Sequence, residues 1–203
     1  MIDFRLYLIT DRERIKIPLY DAIKQSLEAG AKAIQLREKS LSTRELLKLA
    51  YDIRKLTYQY GAKLFINDRV DIALVVGANG VHLGIKSMPP DAVKRITSKD
   101  SLIGFSAHGI EEAKEAQEKG ADFITFSPIY ETKSKIGVPP KGLKELQKVS
   151  EKISIPVFAL GGINADKVNE VLCAGAYGVA IVSAIFCAED IKKETEKIVR
   201  LLK

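Results

Sequence analysis

PVFALGGINADKVNEVLCAGAYGVAIV, residues 156–182, is a strand, a turn, a helix and a second strand written in one line. Its two short apolar runs, PVFAL (156–160) and GVAIV (178–182), flank NADKVNEVLCAGA (164–176), where apolar residues recur at helical spacing above a polar face. Neither run alternates apolar with polar residues, so each strand is covered on both faces, as in a parallel sheet whose crossovers are helices.

The same unit recurs toward the N-terminus. LYLIT (6–10), AIQLR (33–37), KLFIN (63–67), GVHLG (80–84), LIGFS (102–106) and FITFS (123–127) bring the strands to eight, with helical segments such as STRELLKLAYDIRKLTYQYG and GIEEAKEAQEKGA between them. Gly30, Gly61, Gly120 and Gly175 stand where helix C-caps are expected, and Ser42, Asp91 and Asn164 where helices begin. Eight units of about 25 residues predict an α/β (β/α)8 TIM barrel, a single domain over residues 1–203. An open doubly wound sheet would want a glycine-rich turn after strand 1, and TDRERIK contains no glycine.

Composition narrows the function. Lysine and arginine number 32 against 26 acids, a net charge of +6, but the cations are interspersed with acids, as in AEDIKKETEKIVRLLK. That pattern describes solvated helix faces and predicts no nucleic-acid partner. The apolar runs are too short or too glycine-broken to span a bilayer, and MIDFRLYLITDRER lacks a signal-peptide layout, so the expectation is a cytoplasmic protein with no membrane partner. Cys173 and Cys187 lie in apolar contexts without a CxxC pattern and are expected to be buried thiols. Composition leaves a homo-oligomer open.

In such barrels chemistry sits at the C-terminal ends of the strands and in the loops that follow. Those positions are polar here: Thr10 and Asp11, then Gln35, Arg37, Glu38 and Lys39, then Asn67 and Asp68, with His82, Ser106 and His108 further on. Arg37 and Lys39 are two residues apart, so they point the same way if the strand persists, and two cations at a barrel mouth suit a diphosphate. Asp68 offers an oxygen ligand for Mg2+, although Asn67 and Asp68 would equally cap a helix starting near Val70. His82 is a core histidine or a catalytic one; His108, past its strand in a small-residue turn, is the better acid/base candidate. The long segment SPIYETKSKIGVPPKG, with Thr132, Lys133, Ser134 and Lys135 near its middle, reads as a binding loop or a plain exposed one. Gly161 and Gly162 after strand 7 and Ser183 after strand 8 fit the phosphate cradle of this fold, or else a tight turn and a helix cap.

YLITD, IQLREKSLSTRELL, FINDRVDIAL, GVHLG, GFSAHGIEEAKEAQEKGADFITFSPIYETKSK and IPVFALGGIN with AGAYGVAIVSAI together resemble the thiamine-phosphate synthase family and its TenI-type thiazole tautomerase relatives. The resemblance implies a transferase joining 4-amino-2-methyl-5-hydroxymethylpyrimidine diphosphate to a thiazole phosphate, with Mg2+ as cofactor and thiamine phosphate and diphosphate as products. It implies that Gln35, Arg37, Lys39 and Asn67 bind the pyrimidine and its diphosphate. Ser106 and Lys135 add further diphosphate contacts. The resemblance likewise implies that Thr132, Ser134, Gly161, Val182 and Ser183 would hold the thiazole phosphate and that Asp68 would be a Mg2+ ligand. Among these, Arg37, Lys39 and Lys135, with His108, are the implied catalytic groups. Where synthases follow HLG with Gln, an acid and then Asp, the second metal ligand, this chain has Ile85, Lys86 and Ser87. Tautomerase relatives lack the metal ligands and use a histidine matching His108 to isomerise a carboxythiazole phosphate. That activity, or a non-catalytic ligand-binding role, is the alternative.

Overall fold

The computed structural model describes residues 1–132 and 137–203. Eight parallel strands close on themselves in sequence order: β1 (Leu6–Ile9), β2 (Ala33–Leu36), β3 (Lys63–Asn67), β4 (Gly80–Leu83), β5 (Leu102–Ala107), β6 (Phe123–Phe126), β7 (Val157–Leu160) and β8 (Gly178–Ile181), with β8 pairing back onto β1. The helices among the described residues are α1 (Leu19–Glu28), α2 (Thr43–Gln59), α3 (Val70–Val76), α4 (Pro90–Lys94), α5 (Ile110–Glu118), α6 (Gly142–Lys152), α7 (Val168–Cys173), α8 (Ser183–Phe186) and α9 (Ile191–Leu201). This is the TIM barrel that the alternating pattern predicts. None of these helices is long and apolar enough to cross a membrane.

Local chemistry sets the helix ends where the sequence places them. Ser42 accepts the Glu45 N–H while the Glu45 carboxylate accepts the Ser42 N–H, a reciprocal capping box at α2. Gly30, Gly61, Gly120 and Gly175 all have positive φ one residue past a helix C-cap. Asp91 lies in the first turn of α4, whereas Asn164 precedes the short turn Ala165–Lys167 without a side-chain cap. One expectation fails. Cys173 and Cys187 are exposed free thiols, because each falls on the solvent side of its short helix or just beyond it. Immediately after β8 the chain forms α8, a single turn that its four residues SAIF are too few to announce.

Two apolar layers result from strand alternation. Outward residues such as Leu8, Ile34, Leu64, Val81, Ile103 and Ile124 are buried under the helices. Inward residues begin with an aromatic plug, Phe4, Tyr7, Phe65, Phe123 and Phe158, with ring centroids 5.2–6.1 Å apart. The same inward rows turn polar two residues further along. Phe65 is followed by Asn67, Gly104 by Ser106, Phe123 by Thr125, and Ala33 by Gln35. The period of two that builds the core therefore also lifts a polar set to the mouth.

Candidate active site

His82 stands at the boundary between plug and mouth. It is buried against the rings of Tyr7 and Phe123, its Nδ1 lies 3.2 Å from the Tyr7 hydroxyl, and its Nε2 lies 2.9 Å from Ser106 Oγ and 3.3 Å from Thr125 Oγ1. Burial, with the Arg37 charge adding to it, pulls its pKa from 6.5 to about 3, so the imidazole is neutral. Burial likewise pushes the Tyr7 phenol up, and Tyr7 remains a hydroxyl. With Tyr7 donating to Nδ1, the Nε2–H donates to Ser106 and leaves the Ser106 proton to point onward. His82 is thus the core histidine of the two alternatives, acting as a prop for Ser106. Gly104 makes the space: a Cβ there would meet Phe123 and lie 2.5 Å from His82 Nδ1.

Above this floor opens a cavity of about 780 Å3, in the size range of small-ligand sites. One flank is built from β2, β3 and the turn after β4: Gln35, Arg37, Lys39, Asn67 and Asp68 line it, with Lys86 and Ser87 at its rim. The other flank is built from β7 and β8: Gly161, Gly162, Val182 and Ser183 line it. Ser106, His108 and Thr132 line the wall between. A shallower groove of about 540 Å3 on the outer face of α2, between Tyr51 and Tyr58, touches no strand end.

Each flank is held by specific contacts. Gln35 lines the cavity and is 1% exposed, and its Nε2 is a buried donor with no hydrogen-bond partner among the described residues, which an acceptor on a ligand would satisfy. Arg37 and Lys39 lie beyond the end of β2, yet both reach the cavity. Asp68 is the one described non-glycine residue at positive φ, 65°. The chain turns there after its N–H bonds the His82 carbonyl at 2.9 Å, which presents the carboxylate to the cavity. Neither Asn67 nor Asp68 caps α3: its N-cap is Arg69, with no side-chain cap bond.

On the opposite flank, Gly161 and Gly162 have φ of 106° and 66°. A Cβ on Gly162 would lie 2.5 Å from the Glu131 carbonyl oxygen, and one on Gly161 2.9 Å from Pro128 Cα. The glycine turn is thus pressed against the foot of the segment that follows β6. Tyr130 N–H donates to the Gly161 carbonyl at 3.0 Å, and Lys167 Nζ donates to the Gly162 carbonyl at 3.1 Å while standing over the Tyr130 ring. Desolvation, with the Glu170 carboxylate that accepts the Tyr130 hydroxyl, pushes that phenol up to about 12.

Residues 6–185 match the family model described as thiamine monophosphate synthase. The chain belongs to that family. A thiamine-phosphate synthase from Pyrococcus furiosus is 43% identical over 98% of this chain and 94% of its own length, and one from Clostridium acetobutylicum is 38% identical over 100% and 96%. A solved thiamine phosphate pyrophosphorylase from Pyrococcus furiosus superposes with a TM-score of 0.90 at 41% identity, covering 98% of this chain and 95% of that one.

The synthase-family residues expected from the sequence converge. Gln35, Arg37, Lys39, Asn67, Asp68, Ser106, Thr132, Gly161, Val182 and Ser183 all line the one cavity, as do His108 and Ser87. Ser134 and Lys135 lie outside the described residues. Arg14 also lines the cavity, ion-paired to Asp11 at 2.8 Å, and sequence reasoning did not single it out. Its signal was the charged run TDRERIK at the end of β1.

Mg2+ can be tested against this donor set. Among the described residues no group of three or more His, Cys, Asp or Glu side chains could hold a metal. Ser87 Oγ accepts the Gly84 N–H at 2.8 Å, closing the turn after β4. Among the described residues of this flank Asp68 alone offers a carboxylate; Asp11, at the end of β1, also lines the cavity but is ion-paired to Arg14. One carboxylate completed by substrate phosphate oxygens and water is coordination that Mg2+ accepts, so the residues fit an ion held jointly with a diphosphate.

Proposed function

We propose that this chain is a thiamine-phosphate synthase, joining hydroxymethylpyrimidine diphosphate to a thiazole phosphate with release of diphosphate. The observation that carries the reading is the two-sided cavity. A cationic flank of Arg37 and Lys39 faces a glycine-lined flank at Gly161 and Ser183, so two different anions can be held with their organic parts between them.

In this reading the orphan Gln35 amide donates to an acceptor on the pyrimidine, with Asn67 beside it. Arg37 and Lys39 bind the diphosphate and oppose the charge that builds on it as its C–O bond breaks; Ser106, propped by His82, donates to the same group. Lys135 and Ser134 belong to this scheme as the third cation and a thiazole-phosphate contact. Thr132, Gly161, Val182 and Ser183 hold the thiazole phosphate so that its ring nitrogen meets the pyrimidine methylene. The carbon–oxygen bond breaks first, its electron pair leaving with the diphosphate, and the thiazole nitrogen captures the pyrimidine-methyl cation to form the carbon–nitrogen bond, so no proton need be moved. Asp68 would hold Mg2+, which when bound neutralises charge on the diphosphate.

One observation favours a second reading. His108 Nδ1 lies 3.0 Å from the Ser127 carbonyl, which can only accept, so a neutral His108 carries its proton on Nδ1 and its unprotonated nitrogen is Nε2. That arrangement would serve proton transfer on a carboxythiazole phosphate. The test is to supply both substrates with Mg2+ and measure thiamine phosphate. Formation of thiamine phosphate by the wild type supports the synthase. No product, with isomerisation that disappears in His108→Ala, replaces it with the tautomerase. Binding of a thiazole phosphate with neither reaction would leave a ligand-binding member of the family.

A further inference from the structure

Arg37 and Lys39 carry their charges past the point where the sheet holds them. The last residues paired between β1 and β2 are Ile9 and Gln35, after which Thr10 N–H donates to the Gln35 carbonyl at 3.0 Å. In a continuing parallel ladder the next bond would run from Arg37 N–H to the Thr10 carbonyl. The Thr10 hydroxyl takes that bond instead, at 2.9 Å, because the chain turns at Asp11 into the short helix Arg12–Arg14. The same hydroxyl donates to Glu38 Oε1 at 2.5 Å, and Glu38 Oε2 accepts the Arg12 N–H at 3.2 Å.

Thr10 is fully buried and Glu38 is 6% exposed, and neither is among the described residues lining the cavity. Glu38 therefore turns away from the ligand space that its neighbours Arg37 and Lys39 enter. Burying a carboxyl is costly unless it is hydrogen-bonded, and both oxygens of this one are spent on the end of β1. Desolvation raises its pKa, while the Thr10 and Arg12 bonds oppose that shift.

We propose that Thr10 and Glu38 are positioning residues for the diphosphate, a role that rests on the synthase reading above. Thr10 replaces the missing rung under Arg37, and Glu38 locks Thr10 in the rotamer that does so. Together they fix where the main chain of residues 37–39 stands, and with it where both cations meet the ligand. Misplacement of about 1 Å in such a group can cost on the order of 100-fold in rate.

The test uses Thr10→Val, which keeps the shape and removes the hydroxyl, and Thr10→Ser, which keeps the hydroxyl. Inorganic pyrophosphate is titrated into each by calorimetry in magnesium chloride, and both Michaelis constants are measured. Thr10→Val is expected to bind pyrophosphate about tenfold more weakly and to raise KM for the pyrimidine diphosphate by a similar factor, with KM for the thiazole phosphate unchanged. Thr10→Ser is expected to stay within about twofold of wild type. Should Thr10→Val not fold, Glu38→Gln carries the same comparison, since it puts a donor where two donors must be accepted. Unchanged pyrophosphate binding, or equal weakening of both substrates, overturns the proposal. Wild type that binds no pyrophosphate sinks the diphosphate reading itself and the proposal with it. Wild type that binds pyrophosphate but makes no thiamine phosphate removes only the synthase step, and the calorimetric ratio still decides the positioning role.

Discussion

The two flanks of the cavity offer anions different physics. On the β2–β3 side the lining is charged, with Arg37 and Lys39 beside Asp68 and the Arg37 N–H bonded to the Thr10 hydroxyl. On the β7–β8 side the main feature is closeness: glycines at positive φ and small residues let main chain approach where a Cβ would collide. A charged flank tolerates changes of shape but not of charge, and a close-packed flank the reverse. The contrast fits a diphosphate that must leave on one side and a monophosphate that only needs holding on the other.

The largest break in that contrast should come from the glycine side. Gly162→Ala adds a Cβ 2.5 Å from a main-chain oxygen at φ 66°, so stability should fall by about 3 kcal/mol, measured by denaturant unfolding. Binding of a thiazole phosphate should fall with it, while pyrophosphate affinity is retained. Arg37→Ala should do the opposite, leaving stability nearly unchanged and raising KM for the pyrimidine diphosphate about 30-fold, some 2 kcal/mol, the scale of a lost charge-assisted contact.

The floor shared by both flanks gives a pH signature. Because His82 is depressed to about 3 when folded and titrates near 6.5 when unfolded, the unfolded chain takes up the proton first. Its contribution is complete above 6.5 and is lost as pH falls toward 3. Lowering pH from about 7 to about 5 should cost roughly 1–2 kcal/mol of unfolding free energy, and His82→Gln should flatten that limb. Smallest is the salt effect: between about 0.05 and about 0.5 M NaCl, pyrophosphate affinity should weaken several-fold while thiazole-phosphate affinity moves less.

Most of this architecture is written locally in the sequence. Apolar runs near 25-residue spacing and glycines after helices mark eight units, and reading along the inward rows from Phe65 to Asn67 or from Gly104 to Ser106 already lifts a polar set to one end. What stays hidden depends on contacts between units. No local pattern tells that His82 lies under Ser106 rather than in the cavity, since its burial is set by Tyr7 and Phe123, 75 and 41 residues away along the numbering. Nor does REK reveal that Glu38 turns from its two cationic neighbours toward Thr10, because the bond closes across strands. Arg14 escaped for a similar reason: its place at the cavity follows from the Arg12–Arg14 turn, which the charged run does not specify.

The division of labour between flanks is tested most directly by measuring both Michaelis constants in wild type, Arg37→Ala and Gly162→Ala. The predicted result is a crossed pattern, with Arg37→Ala raising only the constant for the pyrimidine diphosphate and Gly162→Ala only that for the thiazole phosphate. Parallel rises in both constants for either variant would contradict a cavity that assigns one anion to each side.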